Sequence, residues 1–86
     1  MEATWKPPTQ HGKATSRSKL PPSAYAFPKQ KKEPLTDASH VRNAIARFNQ
    51  VEGVTHRDRE LAFKNIEVAA KYYHVAMAEK SWKDFR

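Results

Sequence analysis

Leu35-Thr36-Asp37-Ala38-Ser39-His40-Val41-Arg42-Asn43-Ala44-Ile45-Ala46-Arg47-Phe48 carries a helix start and a helical period in fourteen residues. Val41, Ala44, Ile45 and Phe48 recur at i, i+3, i+4 and i+7, which places them on one face within about two turns. Asp37 reads as the N-cap, because an aspartate there accepts from exposed backbone N–H groups and complements the positive helix end, typically worth ~1 kcal/mol. Thr36 is a one-residue alternative. The spacing predicts an amphipathic helix over about 38–49, ended by Asn49, Gln50 and Gly53, since glycine accepts left-handed turn geometry at no steric cost.

Toward the C-terminus, Thr55 opens a second and longer helix over about 56–73, with Asp58 and Glu60 in its first turn. Glu60, Lys64, Glu67, Lys71 and His74 fall on one narrow arc, with Glu60 to Lys64 and Glu67 to Lys71 as favourably ordered i,i+4 pairs. The rest of the circumference is apolar in two stripes: Ala62, Ile66, Ala69, Ala70 and Tyr73, then Leu61, Val68 and Tyr72. The single stripe of the first helix covers only one of them. A short third helix over about 78–85 would return Trp82, Phe85 and Met77 to the core.

Toward the N-terminus the composition changes. All six prolines lie in the first 34 residues, where seven Lys and Arg against two acids leave +5. The remaining 52 residues carry nine basic and seven acidic side chains, a balance of +2. Residues 1–19 hold little apolar material besides Trp5 to offset ~1–2 kcal/mol per residue of backbone ordering, so they read as a disordered basic tail. Residues 20–35 read as an extended arm, because Pro22, Pro28 and Pro34 lack donors and push their predecessors out of helical geometry. Tyr25 and Phe27, two apart, project to one side of such an arm and suit an apolar groove. The expected architecture is all-α: a small antiparallel two-helix core in residues 20–86, the short third helix, and the arm packed across them.

Eighty-six residues bound this to one small domain with a marginal core, either a monomer or a weak homodimer. The absence of Cys excludes disulfides, thiolate zinc and a cysteine nucleophile, and it fits a cytoplasmic protein. No apolar run approaches the ~20 residues that span a bilayer, so no membrane partner is expected. Gly12 and Gly53 are too far apart to write a phosphate-cradling loop. His11, His40, His56 and His74 are dispersed singly, without the paired spacing of a zinc site. Neither metal nor cofactor is expected, and with no nucleophile turn beside Asp37 and His40 the chain does not read as an enzyme.

The segment 20–54 resembles a family of small uncharacterised bacterial proteins. The shared pattern runs through Leu20, Pro21, Ser23, Tyr25, Ala26, Phe27 and Pro28, then Lys31, Lys32, Pro34, Leu35 and Asp37. It continues through His40, Val41, Arg42, Asn43, Ala44, Ala46, Arg47 and Phe48. The resemblance extends to about residue 82 and implies a domain of unknown function. Shorter versions of the Asp37 to Ala44 pattern resemble segments of phage-encoded proteins, which implies a nucleic-acid or particle-associated role. Members of the group usually place Gly after the second helix, where this chain has His74.

His40, Asn43 and Arg47, at i, i+3 and i+7, form the sharpest polar constellation, with Arg42 on the same helix and Lys31 and Lys32 across its cap. One reading is an anion or partner site, in which these residues grip a phosphate or a carboxylate. The other is that His40 and Asn43 hydrogen-bond the arm, whose extended backbone needs partners. Tyr72 and Tyr73 offer either core packing or a base-stacking platform. Two functions remain open: a non-enzymatic binding or accessory module of the bacterial cytosol acting on a protein partner, and a nucleic-acid-binding protein using its basic tail with Lys31, Lys32, Arg42 and Arg47.

Overall fold

The computed structural model describes residues 2–7 and 21–78. After a single 3₁₀ turn over Pro22–Ala24, strand β1 (Tyr25–Phe27) and strand β2 (Lys32–Pro34) form a two-stranded antiparallel sheet. Helices α1 (Ala38–Arg47) and α2 (His56–Tyr72) follow, with a 3₁₀ turn over Phe48–Gln50 extending the end of α1. The fold is therefore mixed α and β, not all-α. The expected arm is extended only over 25–27 and 32–34, and it is not a lone arm: the chain turns at Pro28–Lys31 and pairs with itself, Tyr25 opposite Pro34 and Phe27 opposite Lys32. The ladder continues at Leu35, whose N–H donates to the Ala24 carbonyl at 2.8 Å. Backbone groups that a lone arm would have left for side chains to satisfy are thus largely satisfied by the hairpin. The turn carries neither Asn-Gly nor Asp-Gly. Lys31 (φ 54°) and Glu33 (φ 57°) instead take left-handed backbone without glycine's freedom, which is why turn chemistry did not announce it.

Both helix starts follow their capping residues. Asp37 accepts from the His40 N–H at 2.8 Å. Thr55 and Asp58 form a reciprocal capping box, Asp58 N–H to Thr55 Oγ1 at 3.1 Å and Thr55 N–H to Asp58 Oδ2 at 3.0 Å. At its C-terminal end α2 closes with a 2.8 Å bond from Val75 N–H to the Ala70 carbonyl. A second bond of 3.4 Å runs from His74 N–H to the Lys71 carbonyl, with His74 at φ 60°. This is the paired C-terminal motif that normally takes glycine at the left-handed position. Among the described residues there is no third helix; 75–78 are irregular, and the remainder of the expected 78–85 helix, with Trp82 and Phe85, lies outside them.

The core lies between α2, the hairpin and α1. Phe27, Leu35, Val41, Ala44, Phe48, Ala62, Phe63, Ile66 and Ala69 are all buried. Phe27 and Phe48 pack with ring centroids 5.7 Å apart. Of the two apolar stripes on α2, the one through Ala62, Ile66, Ala69 and Ala70 is covered, while Val68 and Tyr72 of the other stay exposed. Trp5 departs from the expected tail: it is buried at 5% exposure in the same core, and Lys6 N–H donates to the Ser23 carbonyl at 3.1 Å. One indole buries roughly 150–250 Å², enough to order a short segment that composition alone describes as polar. Residues 8–19 lie outside the described residues.

Candidate functional site

The six residues singled out in the sequence do not converge. His40 points back at its own cap, with its ring Nδ1–H donating to Asp37 Oδ1 at 2.8 Å beside the backbone bond to the same oxygen. The His40 N–H, followed by its imidazole, holds the Asp37 carboxyl below the usual value of 3.8. His40 therefore completes the start of α1 and does not bond the hairpin. Arg42 and Asn43 are exposed along α1. Arg47 sits about 10 Å beyond His40 along the axis, by the 1.5 Å rise per residue, in the last turn of α1. Lys31 occupies the exposed end of the hairpin turn.

Lys32 and Arg47 do come together. They line an open cleft of about 350 Å³ with Glu33, Gln50, Val51 and Glu52, where β2 passes the end of α1. The Lys32 ammonium donates to the Glu52 carbonyl at 2.7 Å. Two cations and two carboxylates thus share this surface.

Side chains absent from that constellation hold the polar interior. Asn65 on α2 is fully buried and its amide is saturated. Its Oδ1 accepts the backbone N–H groups of Thr4 at 2.7 Å and Trp5 at 2.9 Å. Its Nδ2 donates to the Ala26 carbonyl at 2.9 Å and to Thr4 Oγ1 at 3.2 Å. One side chain thereby joins α2, β1 and the N-terminal segment, and bonds the Ala26 carbonyl in the way that one of the two readings gave to His40 and Asn43. The signal was present, since a polar residue lies between Ala62 and Ala69 at i+3 and i+7 within the buried stripe. Trp5 adds a bond from its Nε1–H to the Leu35 carbonyl at 3.1 Å. Its ring stands edge-on to Tyr72 and Tyr73, at 5.6 and 5.8 Å. Tyr73 packs partly on the core, and burial, with smaller contributions from Tyr72 and Asp37, raises its hydroxyl above 10.0. Tyr72 is 55% exposed.

Arg59 was also missed. It donates to the carbonyls of Phe48 and Val51, each at 2.9 Å, and lies over the Phe48 ring, so it ties the exit of α1 to α2. Gln30 in the hairpin turn donates to Asp58 Oδ2 at 2.9 Å. Backbone and side-chain bonds from Thr55, together with Gln30, hold the Asp58 carboxyl below 3.8, the Thr55 backbone contributing most. Among the described residues no group of three or more His, Cys, Asp or Glu side chains is placed to hold a metal ion. No described helix is long and apolar enough to cross a membrane.

The chain matches no curated protein and no solved structure. A family model does match, over residues 12–80, a span that takes in the hairpin, both helices and every residue of the mixed-charge cleft, while Trp5 and its neighbours precede it. The chain belongs to that family, a family of unknown function designated DUF6582.

Proposed function

We propose that this chain is a non-enzymatic, protein-binding accessory module of the cytosol. The observation that carries the reading is the composition of the cleft, where Glu33 and Glu52 stand beside Lys32 and Arg47. A surface that neutralises phosphates gains from cations alone, because each contact releases counterions, and carboxylates in the same patch oppose it. Alternating charge suits a protein partner, whose own charges can be complemented pair by pair. The Lys32 ammonium, held on the Glu52 carbonyl, is further committed to the fold.

The competing reading, nucleic-acid binding, draws on the net charge of +7 and on exposed Arg42 and Arg47. Fluorescence anisotropy of a labelled duplex with the full chain at about 150 mM salt separates the two. Affinity no tighter than the ~100 μM of non-specific contact is expected. Micromolar binding that an Arg42→Ala, Arg47→Ala double variant abolishes at unchanged helix content would overturn the proposal. In that case the slope of affinity against salt should fall by about one unit for each contact removed.

A further inference from the structure

The contacts of residues 2–7 have the form of a bound peptide. Asn65 reads two successive main-chain N–H groups, Thr4 and Trp5, and the Leu35 carbonyl reads an indole N–H. Most of these bonds ask only for an extended chain with a tryptophan at one position. The residues that do the reading, Leu35, Asn65, Tyr72 and Tyr73, all lie within the 12–80 stretch that defines the family, and the occupant lies outside it. Beside the indole, Val68 and Tyr72 present one turn of α2 that residues 2–7 leave 42% and 55% exposed.

We propose that this groove between α2 and the hairpin is a binding site for an extended, tryptophan-bearing segment of a partner protein, with residues 2–7 as its tethered occupant. The inference deepens the protein-binding reading above and rests on it. A second copy of the chain is a poor competitor. Lys6 N–H and the Ser23 carbonyl lie 3.1 Å apart within one chain, so residues 2–7 bind intramolecularly, at no cost of bringing two molecules together. An identical segment on another molecule, at micromolar concentration, has nothing with which to offset that cost. A foreign segment does, if it carries apolar side chains beyond its tryptophan that cover Val68 and Tyr72. Displacement then follows from added buried area, and the contacts of residues 2–7 set the threshold that a partner must pass.

The test uses the full chain with Trp5→Ala, which vacates the indole pocket and leaves Asn65 and Leu35 in place. The probe is a fluorescein-labelled hexapeptide of residues 2–7, beside one in which its tryptophan is alanine and one N-methylated at the tryptophan amide. The unmodified peptide is expected to bind the variant at least tenfold tighter than either control, and at least tenfold tighter than it binds the native chain. Equal binding to native and variant chains, or no difference among the peptides, overturns the proposal. If the variant does not fold alone, the unmodified peptide should restore its helical circular dichroism and the alanine peptide should not; failure to restore it overturns the proposal as well. Selection of random displayed peptides on the same variant should enrich tryptophan flanked by apolar residues, and enrichment without tryptophan counts against the site. Native chain that dimerises at micromolar concentration through Trp5 would replace the foreign partner by a second copy and so overturn the assignment. None of these outcomes bears on the duplex measurement, so the failure of this inference and that of the protein-binding reading remain separate.

Discussion

Replacing Asn65 by alanine should be the most damaging single polar change in the described fold. The amide makes bonds of 2.7, 2.9, 2.9 and 3.2 Å to three residues of the N-terminal segment and β1. Thr4 is exposed, so its N–H and hydroxyl can turn to water. The Trp5 N–H and the Ala26 carbonyl are buried and cannot. Leaving two buried groups unpaired costs ~1–3 kcal/mol each, so a loss of about 3 kcal/mol is expected, a large share of a small domain's stability. Urea unfolding followed by circular dichroism measures it. Asn65→Asp is the sharper control, because it keeps an acceptor for Thr4 and Trp5 yet turns an ionised oxygen toward the Ala26 carbonyl. Burial and that carbonyl raise the pKa of the new carboxyl in the fold above its unfolded value. Its protonated form, which can donate to Ala26, is therefore favoured by folding. The aspartate variant should lose most at neutral pH and recover, relative to the native chain, as pH falls through the raised value. A loss below about 1 kcal/mol for Asn65→Ala, or a pH-independent gap for Asn65→Asp, would refute the reasoning.

Phe27→Ala should cost ~3–5 kcal/mol, since the ring is 1% exposed against Phe48; a chevron or urea midpoint shift far smaller would show that the hairpin only rests on the helices. His74→Gly should stabilise the domain by about 1 kcal/mol, because φ is 60° there, and raise Tm by roughly 4–8 °C in a thermal scan. Asp37 and Asp58 both sit below 3.8 in the fold, so each contributes stability that is present above that value and lost as pH falls through the lowered one. Asp58→Ala should accordingly cost about 1 kcal/mol at pH 7, with the gap to the native chain narrowing below about pH 3.8 in acid-unfolding curves.

Local chemistry was enough to locate the helices. Asp37 and Thr55 start them because the interactions that satisfy a helix N-terminus lie within three residues, and the 3.6-residue period of Val41, Ala44 and Phe48 is written along a single segment. His74 stood out only through the family resemblance, which implies Gly after the second helix, at the position that takes φ 60°. That residues 25–27 and 32–34 are extended and not helical also follows from proline, but their return as a hairpin does not. Lys31 and Glu33 adopt backbone geometry that their side chains disfavour, in a hairpin whose strands pair with each other and pack on α1 and α2.

The candidate site divides along the same line. Sequence spacing gathered His40, Asn43 and Arg47 on one helix face, yet spacing could not say that His40 would be spent on Asp37, three residues away. It could not bring Lys32 to Arg47 either, since their meeting depends on β2 crossing the end of α1. Least legible was the union of Trp5 with Asn65 across sixty residues. Residues near Trp5 look too polar to fold, and Asn65 looks like a flaw in an apolar stripe. Each satisfies what the other lacks, a backbone amide for an acceptor and an indole for a groove, and only the tertiary structure puts them within hydrogen-bonding distance.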